Sequence, residues 1–220
     1  MLKKTKILCT IGPSSSSKDT IAAMVKAGMN GVRINTAYGD FSQYNSIIDN
    51  VREIADLPVV FDVKGPEIRL NAAERRNLNK GEILKVGSGS GPISFSHDFF
   101  GQIECNDIIY IDNGKIKTRV IEKADSVIDL LFMSPGIIDD GKGVNVPNKK
   151  LSIPTFRKED SKFVDYALEK GIDYFALSFV RNAKDIEIWR SQIGNFEGGI
   201  LAKIENFEGV ENFDEIIDAA

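Results

Sequence analysis

Three pairs of polar residues stand near the ends of short apolar runs in this chain of 220 residues. The pairs are Arg33 with Asn35, Asp62 with Lys64, and Lys203 with Glu205. The members of each pair are two residues apart, so both side chains point to the same face of a β-strand. Cations beside carboxylates suit an anionic, phosphorylated ligand, with the carboxylates open to a hard metal ion. One charged residue at a strand end is usually solvated, but three matched pairs indicate a shared phosphate-and-metal site.

The runs that carry these pairs belong to an alternation of strands and helices. The alternation covers residues 5–69 and resumes from Ile153. The predicted strands are "TKILCTIG", "GVRINT", "LPVVFDVKG", "YFALSFV" and "GILAKIE". Helical patterns separate them, and a last helix is predicted from about Glu208. Such an alternation is typical of a parallel sheet, and in α/β barrels the active site lies at the carboxyl ends of the strands.

Between Leu70 and Pro147 the helical period disappears. Short runs rich in Ile and Val take its place, and "DNG" at Asp112 is a strong hairpin signal between two of them. This zone is predicted to be a small all-β domain inserted after the third strand. The expected domains are therefore a catalytic domain at 1–69 and 148–220, and a β-barrel lid domain at 70–147.

Net charge, cysteine spacing and apolar patterning argue against several classes of function. The net charge of −4 does not favour nucleic-acid binding. Cys9 and Cys105 lack the spacing of a zinc site or a disulfide framework, which indicates two reduced thiols. The sequence has neither a long apolar segment nor a signal-peptide pattern, so we expect a cytoplasmic protein without membrane contact.

Six motifs together resemble the pyruvate kinase family. They are "TKILCTIGPSS", "AGMNGVRIN", "DVKGPEIR", "GVNVPN", "LSFVRNAKDI" and "AKIENFEGVENFDEI". The resemblance implies the α/β fold of that family, a (β/α)8 TIM barrel with an inserted β domain. It also implies phosphoryl transfer from phosphoenolpyruvate to ADP, giving pyruvate and ATP in glycolysis.

The same resemblance implies roles for individual residues. Arg33 and Lys203 are expected to bind the substrate phosphate, and Lys203 to neutralise the developing enolate. Arg69 is expected to face the transferred phosphoryl group and the nucleotide. Glu205 is implied as a ligand of Mg²⁺ or Mn²⁺, and Phe179 as part of the substrate pocket, although it fits a buried core position equally well.

A monovalent cation, commonly K⁺, is implied at Asn35, Asp62 and the Val63 carbonyl. Two departures from the family pattern follow the second strand. Ala37 replaces a serine whose hydroxyl completes that cation site, and Tyr38 replaces a histidine associated with nucleotide binding. K⁺ dependence is therefore an open alternative at the level of sequence.

The matched motifs stop before the sixth strand of the family barrel, after "ENFDEIIDAA". We expect an incomplete TIM barrel of about five βα units. Such a chain is expected to form a homo-oligomer or to be completed by the missing part of the barrel, and to be impaired in activity alone. The alternative function is a non-catalytic ligand-binding or assembly module of the same fold.

Overall fold

A computed structural model describes residues 4–147 and 149–220. The predicted domain boundaries at residues 1 and 148, and the last residue of "GVNVPN", lie outside the described residues. Contacts divide the chain into two units. The first contains the described residues of Met1–Gly65, Thr155–Glu205 and Gly209–Ala220, and the second contains those of Pro66–Pro154 and Asn206–Glu208.

The chain begins with the predicted alternation of strands and helices. Its elements are β1 (Leu8–Thr10), α1 (Lys18–Ala27), β2 (Gly31–Asn35), α2 (Phe41–Ile54) and β3 (Val59–Val63). Side chains cap both helices. Ser17 accepts a hydrogen bond from the Thr20 N–H at the start of α1, and Asp40 accepts one from the Gln43 N–H at the start of α2. Gly28 ends α1 with a φ of 109°, in the left-handed region that favours glycine.

Nine short strands follow without a long helix among them. They are β4 (Ile68–Ala72), β5 (Arg76–Leu78), β6 (Ile83–Ser88), β7 (Ile93–Phe95), β8 (Ile108–Ile111), β9 (Ile116–Lys123), β10 (Val127–Phe132), β11 (Gly136–Ile138) and β12 (Gly143–Asn145). Seven of them close a barrel in the order β10-β6-β7-β4-β12-β8-β9, and β11 pairs with β5. The predicted hairpin is confirmed, because β8 and β9 pair antiparallel around Asp112 and Asn113, both with positive φ.

The last segment returns to helices and strands. Its elements are α3 (Ser161–Lys170), β13 (Tyr174–Leu177), α4 (Ala183–Ile193), β14 (Gly199–Ala202), α5 (Phe207–Glu211) and α6 (Phe213–Ala219). The five strands of the first unit form one parallel sheet in the order β1-β2-β3-β13-β14. The protein is thus a mixed α/β structure with a closed seven-stranded barrel. Among the described residues, no helix is both long and apolar enough to cross a membrane.

Each unit has its own apolar core. In the first unit, Phe61, Phe175 and Trp189 are fully buried between the sheet and its helices. In the second, a separate cluster that includes Phe95 and Phe132 fills the barrel. The two periodicities seen in the sequence therefore correspond to two separately packed cores.

Several predicted element boundaries were wrong, the predicted strands being longer than the observed ones at β1 and β3 as well. Strands β13 and β14 end at Leu177 and Ala202, earlier than "YFALSFV" and "GILAKIE" suggest. Phe179 has a φ of 57°, which an extended strand cannot contain. The single helix predicted from Glu208 is two helices that separate at Asn212, whose side-chain amide donates to the Arg181 carbonyl at 3.0 Å. A tertiary hydrogen bond thus replaces helical continuity.

Candidate active site

Asp62 lies at the centre of a polar cluster at the carboxyl ends of the parallel strands. It stands on β3 opposite Asn35 of β2 on one side and Ala176 of β13 on the other. The residue is only 3% exposed. A carboxylate this deeply buried needs hydrogen-bonding partners or counter-charges, and the neighbouring strands supply them.

Arg33, two residues before the end of β2, is the first of these partners. Its Nε donates to Asp62 Oδ2 at 2.7 Å, and its Nη2 forms an ion pair with the same oxygen. Its Nη1 donates to Thr10 Oγ1 at 2.7 Å. The guanidinium is therefore fixed on two strands, while 30% of the side chain stays exposed to solvent.

Lys203 approaches the same carboxylate from the end of β14. Its Nζ lies 3.0 Å from Asp62 Oδ1 and 3.1 Å from Oδ2, and it also donates to Ser178 Oγ at 2.8 Å. Two cations thus share one buried carboxylate at the strand ends. Both cationic side chains are partly exposed, so an anion from solvent can contact them.

Glu205 follows Lys203 by two residues, outside the strand that the sequence predicted for both. The two side chains still lie on one side, with Lys203 Nζ 3.4 Å from Glu205 Oε1. Oε2 accepts a hydrogen bond from the Phe179 N–H at 3.1 Å. Phe179 itself is half-buried and belongs to the turn after β13, rather than to the buried core.

Whether Glu205 can bind Mg²⁺ depends on how many protein ligands the ion needs. Among the described residues, no group of three or more His, Cys, Asp or Glu side chains converges as a metal site. Mg²⁺ keeps several waters and commonly takes one or two carboxylates together with substrate phosphate oxygens. Glu205 is an exposed, oriented carboxylate beside a cationic cluster, so its position fits that mode of binding.

The residues implied for K⁺ do not fit a cation in this arrangement. Asn35 Oδ1 accepts the Ala37 N–H at 3.0 Å. The Val63 carbonyl accepts both the Ser178 hydroxyl at 2.9 Å and the Ser178 N–H at 3.3 Å. The Asp62 carboxylate already accepts hydrogen bonds from Arg33 and Lys203. Protein donors thus occupy the Val63 carbonyl and the Asp62 carboxylate, which leaves a cation only the remaining lone pair of Asn35 Oδ1.

Two other predicted residues have contacts of their own. Arg69 lies on β4 in the second unit, where its guanidinium binds Glu67 at 2.8 Å and the Gly141 carbonyl at 2.5 Å. Tyr38 is 71% exposed, and its carbonyl accepts the Tyr44 hydroxyl at 2.7 Å. Within the first unit, the structure brings Arg33, Asp62, Lys203 and Glu205 into one connected network.

Ser178 and Thr10 belong to the site but were missed in the sequence. The hydroxyl of Ser178 donates to the Val63 carbonyl at 2.9 Å and accepts from Lys203, so it joins the end of β3 to the residue after β14. A lone serine in "YFALSFV" gave one weak signal, as the polar exception in an apolar strand. Thr10 gave none, because threonine is common in strands.

Fold and cluster together define the class of protein. It is an α/β protein with a cluster of paired charges at the carboxyl ends of parallel strands. Residues 2–220 match the family described as "Pyruvate kinase, barrel domain". The chain belongs to the pyruvate kinase family.

Curated relatives agree over the whole chain. The pyruvate kinase of Sporosarcina psychrophila is 31% identical over 237 aligned residues, which cover 100% of this chain and 40% of the relative. That of Geobacillus stearothermophilus is 34% identical with the same coverage. The enzyme of Schizosaccharomyces pombe is 33% identical over 98% of this chain and 47% of its own length. The chain therefore spans less than half the length of these relatives.

Proposed function

We propose that this chain carries a phosphoryl-transfer site that moves the phosphoryl group of phosphoenolpyruvate to ADP and yields pyruvate and ATP. The observation that carries the proposal is the convergence of Arg33 and Lys203 on the buried Asp62 at the ends of parallel strands. Phosphoryl transfer depends mainly on positioning and on neutralising charge at the phosphoryl oxygens. Two fixed, partly exposed cations meet that requirement.

In the proposed mechanism each side chain has one task. Arg33 and Lys203 bind the phosphoryl oxygens through their solvent-facing N–H groups, while Asp62 keeps both side chains aimed at the strand ends. Lys203 also stabilises the negative charge that develops on the enolate oxygen as the P–O bond breaks. Glu205 would hold Mg²⁺ or Mn²⁺, which when bound neutralises and orients phosphate oxygens.

The remaining assignments are extensions of this proposal. We place Arg69 at the nucleotide and Phe179 beside the substrate by their match to the family motifs, and Tyr38 at the nucleotide by its position, where the family has a histidine. The five parallel strands would be part of an eight-stranded βα barrel, and the second unit, whose strands lie between β3 and β13 in the chain, would be its inserted domain. A glycolytic reaction would place the protein in the cytoplasm.

A Lys203→Met variant tests the reaction. We expect ATP formation from phosphoenolpyruvate, ADP and Mg²⁺ to fall at least about 100-fold, because a fixed charge at the transferred group is lost. Lys184→Met is the matched control, since Lys184 is an exposed lysine of α4 in the same unit and should leave turnover unchanged. Equal turnover in Lys203→Met and the parent chain would contradict the role of Lys203.

A second measurement separates catalysis from binding alone. Phosphoenolpyruvate should raise the unfolding temperature of the parent chain and not that of Lys203→Met. A shift without turnover would identify a non-catalytic ligand-binding module. This alternative is supported by the metal ligands, because among the described residues Glu205 is one exposed carboxylate and not part of a larger group of metal-binding side chains. Neither a shift nor turnover would contradict both functions.

A further inference from the structure

The turn that follows β13, residues 178–182, contacts both Lys203 and Glu205. The Ser178 hydroxyl accepts from Lys203 Nζ, and the Phe179 N–H donates to Glu205 Oε2. The backbones are also joined, since the Val180 N–H donates to the Lys203 carbonyl at 3.2 Å and the Lys203 N–H donates to the Leu177 carbonyl at 3.0 Å. The position of the cation and the carboxylate therefore depends on the conformation of this turn.

Phe179 adopts a conformation that is unfavourable for a side chain with a Cβ atom. Its φ of 57° lies in the left-handed region. Non-glycine residues remain there only where the surroundings hold them, and such positions concentrate at functional sites. In this conformation the Phe179 N–H donates to Glu205. Because the conformation is unfavourable in itself, other contacts must hold the turn in place.

The group that holds the turn is a buried network built on Asp185, in the first turn of α4. Asp185 is 3% exposed and accepts the Arg181 N–H at 3.0 Å, Arg181 Nε at 2.9 Å and Arg181 Nη2 at 2.8 Å. Thr155 Oγ1 donates to Asp185 Oδ1 at 2.5 Å. Trp189 Nε1 donates to the Thr155 carbonyl at 3.3 Å.

The Asp185–Arg181 pair in this network stays ionised and hydrogen-bonded. Burial opposes ionisation of Asp185, but hydrogen bonds from Arg181 and Thr155 outweigh it and lower the pKa of the carboxyl. The carboxylate therefore stays charged and paired near neutral pH. Both the backbone N–H and the side chain of Arg181 bind it, which fixes the chain two residues after Phe179.

We infer that Asp185 is a positioning residue for the proposed active site, acting through Arg181 and the Phe179 N–H on the metal-binding carboxylate Glu205. The role of Glu205 as a metal ligand rests on the proposed function, whereas the control of the turn rests on the hydrogen bonds alone. Groups that orient a metal ligand typically change metal affinity 10–100-fold when they are removed. Asp185 does not touch substrate or metal in this scheme.

Asp185→Asn tests the inference, with Asp160→Asn as the matched control. Asp160 is an equally buried carboxylate of the same unit, at 0% exposure, paired with Arg157 before α3. Both variants remove one buried charge from an Arg–Asp pair, so both should lower stability. Only Asp185 is connected to the turn that holds Glu205.

Two measurements are made on the full 220-residue chain. The first is hydrogen exchange of the Phe179 amide without metal, and the second is Mn²⁺ affinity by electron paramagnetic resonance. We expect Asp185→Asn to accelerate exchange at Phe179 and to weaken Mn²⁺ binding about 10-fold. Asp160→Asn should leave both at the parent values. If Asp185→Asn does not fold, Arg181→Lys keeps the charge, loses the forked contact and should show the same changes.

The outcomes separate this inference from the proposed function. Equal exchange at Phe179 in both Asp→Asn variants, or no change in Asp185→Asn, would overturn the positioning role. Faster exchange at Phe179 in Asp185→Asn alone, with no Mn²⁺ binding by the parent chain, would support the control of the turn and contradict the metal role of Glu205.

Discussion

Replacing Gly65 with alanine is expected to disturb the site from a position that carries no functional group. A Cβ atom at Gly65 would lie 1.7 Å from the Ser178 carbonyl oxygen and 2.7 Å from its carbon. Real Cβ contacts essentially never fall under 3.0 Å, and the obstacle is backbone rather than a flexible side chain. The end of β3 and the turn after β13 must therefore move apart.

The size of the effect follows from what Ser178 holds. Its hydroxyl donates to the Val63 carbonyl at 2.9 Å and accepts from Lys203 Nζ at 2.8 Å, and a shift on the ångström scale breaks these hydrogen bonds. Overpacking costs about 1–3 kcal/mol, and each lost hydrogen bond to a charged group about 1.5–3 kcal/mol. Because part of the strain relaxes, we expect Gly65→Ala to lower the free energy of unfolding by about 2–4 kcal/mol.

Urea unfolding followed by tryptophan fluorescence measures this change. Trp189 is the single tryptophan of the chain and is fully buried in the first unit, so its signal reports on that unit. Gly12→Ala is the control, because Gly12 follows β1, has no atom within 4 Å of its Cβ position and lacks a positive φ. It should change stability by less than about 0.5 kcal/mol. Equal stability of the two variants would refute the steric reasoning.

Two further predictions concern pH and cations. Burial, with the nearby Asp49 carboxylate, raises the pKa of Tyr166 from 10.0 to about 12. A raised pKa in the folded state gives stability that is complete below pH 10 and is lost as pH rises toward 12, so Tyr166→Phe should gain stability relative to the parent chain over that interval in urea titrations. The unfolding temperature should be the same in KCl and in tetramethylammonium chloride at equal ionic strength, because internal donors occupy the Asp62 and Val63 oxygens. A stabilisation specific to K⁺ would show that the cation displaces those donors.

Local signals account for the parts of the fold that the sequence predicted well. Helix α1 follows from Ser17 and Gly28, and the β8–β9 hairpin follows from the residues at Asp112, because caps and tight turns are set by neighbouring residues. The break at Asn212 could not be predicted, since its cause is a hydrogen bond to Arg181 from a distant part of the chain. Sequence patterns carry little information on such tertiary partners.

The site shows the same division. The position of Arg33, Asp62 and Lys203 at strand ends was enough to predict that they meet, because the ends of parallel strands lie at one edge of a sheet. Their bonding was not predictable. A motif marks Asp62 as an oxygen ligand for a cation, but only the structure reveals that arginine and lysine donors from two other segments already bind its oxygens.

That bonding explains how one cluster serves both stability and the proposed chemistry. Two cations pointing at the same region would repel each other and turn toward solvent unless a counter-charge held them. Asp62 is that charge, and its burial fixes it between β2 and β13 before any ligand arrives. A phosphoryl group that binds the exposed sides of Arg33 and Lys203 then meets donors that need no reorganisation, which is the main condition for electrostatic catalysis. In the proposed function, the buried carboxylate would therefore contribute to catalysis without contacting the substrate.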